Sequence, residues 1–198
     1  MTKKLFLPGA SGSARFWKPV AERLPTDWDC HCFSWPGLGV EPHRADVTGI
    51  DDLVDLVLAR IESPVDLVAQ SMGGLVALKV AIEAPGSVRR LVLAGTSGGI
   101  AVDSLGGLDW RAEYREEYPG AMSWITQVRE DLSLQLSTIT APTLLLWGDR
   151  DSISPPRVGE RLAESLPNAV LRIIRGGRHD FPMTHPDEVA RRIHEHLS

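Results

Sequence analysis

Cysteine is almost absent from this sequence, with two in 198 residues, Cys30 and Cys32. Two thiols two positions apart in a strand-like run are too few and too close for a disulfide framework or a zinc site, so both read as small core residues. An excess of positive charge is missing too. Lys and Arg number 21 against 26 Asp and Glu, a net charge of -5, and the basic residues are scattered rather than clustered. That composition argues against nucleic acid and anionic membrane as partners. No uninterrupted apolar run approaches the roughly 20 residues that span a bilayer. The start, Met1-Thr2-Lys3-Lys4-Leu5-Phe6-Leu7-Pro8, goes straight into a short strand-like segment, so no signal sequence is expected. The expectation is a cytoplasmic protein without membrane insertion. Internal repeats, low-complexity stretches, H-x-x-x-H or H-E-x-x-H spacings and phosphate-cradling glycine motifs are all lacking, so no metal and no cofactor is expected.

What is present is 43% hydrophobic and 24% charged, which suits one domain over residues 1–198 with a full core. Short, nearly continuous apolar runs recur at Lys4–Leu7, Cys30–Ser34, Val65–Ala69, Arg90–Ala94, Thr143–Trp147 and Val170–Ile174. Runs of that kind are strands covered on both faces. Between most of them lie stretches with helical spacing at Ala14–Leu24, Ile50–Ile61, Met72–Ala84, Arg157–Leu166 and Asp187–Leu197, several stopped by Pro25, Pro64, Pro85 or Pro167. The alternation predicts a three-layer α/β/α sandwich around a mostly parallel sheet of about six strands. Ligands of such sheets sit at the carboxyl ends of the strands. One interval, residues 96–141, carries no convincing strand, and one or two short helices lying over the site as a lid are expected there.

The third run ends in Ala69-Gln70-Ser71-Met72-Gly73 and passes directly into a helical stretch. Strand, sharp turn and helix with a serine at the turn is the layout of a nucleophile elbow, whose flanking residues must be small, as Ala69 and Gly73 are. Taken alone, Ser71 reads equally well as a helix N-cap. The residues after the other strands bear on the choice. Leu7-Pro8-Gly9-Ala10-Ser11-Gly12 can bring backbone N–H groups toward a developing oxyanion, Ala10 supplying one donor and Met72, at the helix start, the other. A carboxylate pair, Asp149 and Asp151, follows the fifth run, and His179 follows the sixth behind Gly176-Gly177. A serine hydroxyl needs a histidine to take its proton, and that histidine needs a carboxylate to hold its tautomer.

On these residues the chain resembles the α/β-hydrolase fold superfamily, as a small serine esterase-like member with a short lid. The resemblance rests on Pro8-Gly9-Ala10 with Trp17 further on, Ser34-Trp35-Pro36-Gly37-Leu38-Gly39, the elbow, Pro142-Thr143-Leu144-Leu145-Leu146-Trp147-Gly148-Asp149-Arg150-Asp151, and Gly176-Gly177-Arg178-His179. It implies Ser71 as nucleophile, Asp151 rather than Asp149 as orienting acid, His179 as base, and Ala10 and Met72 as oxyanion donors. It also implies a sheet lacking the family's first two strands. Ala69 and Pro8 stand where the family has glycine and histidine, Ser34 where it has aspartate, and the lid is shorter, which suggests an open site for small or extended esters. Trp124 and Phe181 are the expected pocket residues. The implied function is hydrolysis of a carboxylic ester or thioester through an acyl-enzyme. The alternatives are carbon–carbon bond hydrolysis or perhydrolysis on the same serine, or a non-catalytic small-molecule receptor of the same fold.

Overall fold

The computed structural model describes residues 2–198. Its strands are β1 (Lys4–Leu7), β2 (Cys30–Cys32), β3 (Val65–Gln70), β4 (Val88–Ala94), β5 (Thr143–Gly148) and β6 (Ala169–Ile174). They form one sheet in the order β2-β1-β3-β4-β5-β6, each neighbouring pair parallel. The helices are α1 (Lys18–Ala21), α2 (Ile50–Leu58), α3 (Met72–Glu83), α4 (Arg111–Glu117), α5 (Pro156–Ser165), α6 (Phe181–Thr184) and α7 (Pro186–Leu197).

The period of two along each strand divides the core between the two faces of the sheet. Leu5, Leu7, Leu67, Ala69, Leu91, Leu93, Leu145 and Trp147 pack on one side, with α2, α3 and α5. Phe6, Val68, Val92, Ala94, Leu144 and Leu146 point the other way, onto Trp17, Phe181 and the apolar stripe of α7. Helix α3 is buried along nearly its whole length, which is why its sequence is apolar all round rather than amphipathic. Helix α2 starts where the Asp52 carboxylate accepts the N–H groups of Thr48 and Gly49.

Two expectations are corrected. The helix expected over Ala14–Leu24 is a 3-10 turn (Ala14–Trp17) followed by the single turn of α1. Pro19 has no N–H to give the Arg15 carbonyl, so an α-helix cannot run through from Ala14. Cys30 and Cys32 lie on the edge strand β2 and are half-buried rather than fully in the core, although they pack against it. Burial still pushes the Cys32 thiol up to about 11, so it stays protonated.

The sheet order reverses at β1, with β2 on one side and β3 on the other, so the loops after β1 and β3 diverge around a crevice at their carboxyl ends. At the opposite end, the fully buried Asp66 of β3 takes two hydrogen bonds from Arg89, at 2.8 and 2.7 Å, with Lys4 at 3.8 Å. Between β4 and β5, residues 96–141 contain α4 and three 3-10 turns (Asp103–Leu105, Ser123–Thr126, Leu136–Thr138). Tyr114, Ile125, Leu132, Leu136 and Ile139 anchor this segment on the core. No helix among the described residues is long and apolar enough to cross a membrane.

Candidate active site

Ser71 occupies the single residue between β3 and α3, with φ 53° and ψ −124°. Among the described residues it is the only non-glycine with a positive φ. Such a conformation costs on the order of 1–3 kcal/mol and persists only where the surroundings impose it. Here the Ser71 N–H donates to the Ala94 carbonyl at 3.0 Å, and the Ser71 carbonyl accepts the Gly74 N–H at 2.9 Å. The side chain makes no capping bond to α3, so the N-cap reading fails and the hydroxyl is free to face outward.

The hydroxyl meets a histidine. His179 Nε2 lies 3.0 Å from Ser71 Oγ, and His179 Nδ1 lies 2.8 Å from Asp151 Oδ2. Asp151 has a fully buried carboxylate whose other oxygen, Oδ1, accepts the N–H groups of Ile153 and Ser154, each at 2.9 Å. An ionised carboxylate only accepts, so the proton between it and the imidazole belongs on Nδ1, leaving Nε2 as an acceptor toward the serine. Two contacts set the histidine loop: Gln70 Nε2 donates to the His179 carbonyl at 3.2 Å, and the Arg150 N–H donates to the Gly177 carbonyl at 2.9 Å. Asp149 turns elsewhere and accepts the Gly176 N–H at 2.7 Å. Asp180 is exposed.

The loop after β1 passes directly beside the serine. A methyl on Gly9 would lie 2.9 Å from Ser71 Cβ and 2.5 Å from Gln70 Oε1, so only glycine fits there. Three side chains hold this loop by its carbonyls: Trp17 Nε1 donates to Leu7 at 3.0 Å, Trp35 Nε1 to Pro8 at 2.7 Å, and the Tyr114 hydroxyl to Ala10 at 2.8 Å. Burial pushes the Tyr114 phenol up, which keeps it a donor. The N–H groups of Ala10 and Met72 donate to no protein group among the described residues.

Ser71, Met72 and His179 open onto a cavity of about 340 Å³. Much of its wall is segment 96–141, through Ile100, Val102, Leu108, Trp110, Ile125 and Val128. Neither Trp124 nor Phe181 lines it, contrary to expectation. Phe181 begins α6 and is fully buried on the far face of the sheet with Phe6 and Trp17. Trp124 packs on the core, and its neighbour Ile125 supplies the wall instead. Ala10 is half-buried on the loop and is not among the lining residues. Among the described residues no three His, Cys, Asp or Glu side chains gather as metal ligands.

A model of the alpha/beta hydrolase family matches residues 5–136, two thirds of the chain, and one of the alpha/beta hydrolase fold matches residues 103–186. The chain belongs to the alpha/beta hydrolase family. This alpha/beta hydrolase is 28% identical to a pimeloyl-[acyl-carrier protein] methyl ester esterase of Neisseria meningitidis, over 95% of the chain and 91% of the relative. The enzyme of the same name from Chromobacterium violaceum is 29% identical over 90% and 87%. A thermophilic esterase from Thermogutta terrifontis shares the fold, with a TM-score of 0.78 at 20% identity over 98% of this hydrolase and 89% of that chain.

Sequence reasoning overlooked Tyr114, Thr96 and Ser154 as residues of the site. Thr96 donates to the Ser71 carbonyl at 2.6 Å, and Ser154 donates its hydroxyl to the Thr96 carbonyl at 3.0 Å. Each acts through a carbonyl far away in the chain, which leaves no spacing to read.

Proposed function

We propose that this protein hydrolyses a carboxylic ester through an acyl-enzyme on Ser71. The observation that carries the reading is the hydrogen-bonded series Ser71 Oγ, His179 Nε2, His179 Nδ1, Asp151 Oδ2, with separations of 3.0 and 2.8 Å. Ser71 Oγ bonds to the ester carbonyl carbon as its proton passes to His179 Nε2, and the buried Asp151 carboxylate stabilises the imidazolium. The carbonyl oxygen becomes anionic and is received by the N–H of Met72, at the positive end of α3, and by that of Ala10. His179 returns the proton to the alcohol oxygen as the carbon–oxygen bond breaks. Water then repeats the sequence on the acyl-Ser71 ester and releases the acid.

The names of the relatives, both methyl ester esterases over nine tenths or more of this chain, support an acyl ester of a small alcohol as the substrate. A thioester would follow the same steps. Segment 96–141 acts as a short lid, a reading supported by its share of the cavity wall. It is tied down where Lys79 of α3 reaches Glu130 at 3.5 Å and where Tyr114 reaches Ala10.

The test is a burst of p-nitrophenol from a short-chain p-nitrophenyl ester, stoichiometric with protein, followed by slower turnover. Ser71→Ala is expected to abolish both phases. A Ser71→Ala variant as active as wild type, or wild type without activity on any ester of graded chain length, would leave the binding-protein alternative standing.

A further inference from the structure

The peptide between Ser71 and Met72 is gripped from behind the site. Its carbonyl, Ser71 O, accepts the Thr96 hydroxyl at 2.6 Å as well as the Gly74 N–H at 2.9 Å. The peptide is planar, with its C=O and N–H on opposite sides, so whatever fixes the Ser71 carbonyl also fixes the direction of the Met72 N–H. We propose that Thr96 is the positioning residue of the oxyanion site: its hydroxyl locks the Ser71–Met72 peptide and thereby aims the Met72 N–H at the anionic oxygen. The proposal rests on the hydrolase reading of Ser71 given above.

Four observations support it. Thr96 is fully buried, so no water competes for its hydroxyl. That hydroxyl already accepts the Gly98 N–H at 3.0 Å, which directs its single proton onto Ser71 O. Room for it exists only because residue 74 is glycine, since a methyl there would lie 2.5 Å from Thr96 Cβ. And Ser71 sits at a strained combination of φ 53° and ψ −124°, and rotating this same peptide changes that ψ. Thr96 reaches the acid loop as well. Its carbonyl accepts the Ser154 hydroxyl at 3.0 Å, and the Ser154 N–H donates to Asp151 at 2.9 Å. Asp151 and His179 make no direct hydrogen bond to the Thr96 hydroxyl, so its removal leaves their own contacts in place.

The experiment compares Thr96→Val, which removes the hydroxyl and keeps the shape, with Thr96→Ser, which keeps the hydroxyl. Rates on a p-nitrophenyl ester are taken per site titrated with a fluorophosphonate, so that misfolded protein does not count. Removing one oxyanion donor costs about 100- to 1,000-fold in kcat, so misaiming one is expected to cost about 10- to 100-fold. KM should change by less than about threefold, the apparent pKa in the kcat/KM profile should hold, and Thr96→Ser should restore most of the rate. If the valine variant is recovered unfolded, Thr96→Ala removes the same hydroxyl and is read in the same assay. A variant without the hydroxyl that keeps wild-type kcat per titrated site overturns the proposal. So does a loss accompanied by a shifted pKa, which would assign the effect to the Asp151–His179 pair. Ser71→Ala, run alongside, separates the two levels: if it retains activity the hydrolase reading falls, and if it is inactive while Thr96→Val is normal, only the role of Thr96 falls.

Discussion

Gly73, in the first turn of α3, lies against the carbonyl of Pro8 so closely that a methyl on its α-carbon would overlap that oxygen and sit 2.6 Å from the Leu7 carbonyl. The helix that carries the elbow and the loop after β1 therefore touch backbone to backbone. Alanine is the better helix former by about 1 kcal/mol. In this place the clash wins, because the atoms it meets are main chain and cannot rotate away. Gly73→Ala is expected to destabilise the protein by about 1–3 kcal/mol in urea unfolding. It should also lower ester hydrolysis at least about tenfold by pushing the Ala10 N–H out of line. A Gly73→Ala variant that is both stable and active would show that the loop moves freely and has no part in the site.

Two aspartates two residues apart have different partners, Asp151 the His179 imidazole and Asp149 the Gly176 N–H. Asp151→Asn keeps the shape of the side chain but offers Nδ1 of His179 an amide in place of a carboxylate, and kcat should fall by about 10,000-fold with little loss of folding. Asp149 only accepts the Gly176 N–H. Asp149→Ala should therefore cost about 1 kcal/mol of stability and leave kcat within about threefold. Kinetics and thermal melts of the two variants, side by side, decide between them; the reverse pattern would make Asp149 the orienting acid.

His196, on the last turn of α7, has its pKa lowered from the ordinary 6.5, first by burial and despite an Nε2 contact of 3.2 Å with the Pro142 carbonyl. Arg90 also disfavours its charged form, while Asp66 favours it. His31 on β2 is lowered as well, by burial and by Arg60 and Lys3. A histidine whose folded pKa lies below its unfolded one contributes nothing adverse above the unfolded value. As the pH falls from about 6.5 through the folded value, the unfolded chain binds the proton first and stability is lost. Urea midpoints should thus drop as the pH falls below about 6.5, and the drop should be smaller in His196→Gln. An equal drop in both proteins would assign the acid sensitivity elsewhere.

Six strands were legible in the sequence because each reads as a short, nearly continuous apolar run, the inner ones because they are covered on both faces and the edge strand β6 although Val170 and Ile173 are exposed. Their observed limits differ from the expected ones by two residues or fewer. Ser71, Asp151 and His179 were marked by position, each following a strand that ends on the same rim of a parallel sheet. What escaped was of another kind. Thr96, Ser154 and Tyr114 work by hydrogen bonds to carbonyls, a contact that any hydroxyl near any backbone can make and that no pattern announces. Phe181 was misplaced because it adjoins His179, yet α6 begins there and turns it to the opposite face of the sheet. Trp124 looked like a pocket aromatic within the strand-free interval, but it lies on the core beside the residue that does line the cavity.

The most direct test of the account is the fate of a fluorophosphonate probe. One equivalent should bind covalently, with the peptide containing Ser71 carrying the added mass, and labelling should fall by at least about 100-fold in His179→Ala, whose serine keeps its proton. Label on another residue, or equal labelling in the histidine variant, would contradict the claim that the Ser71–His179–Asp151 series makes Ser71 a nucleophile.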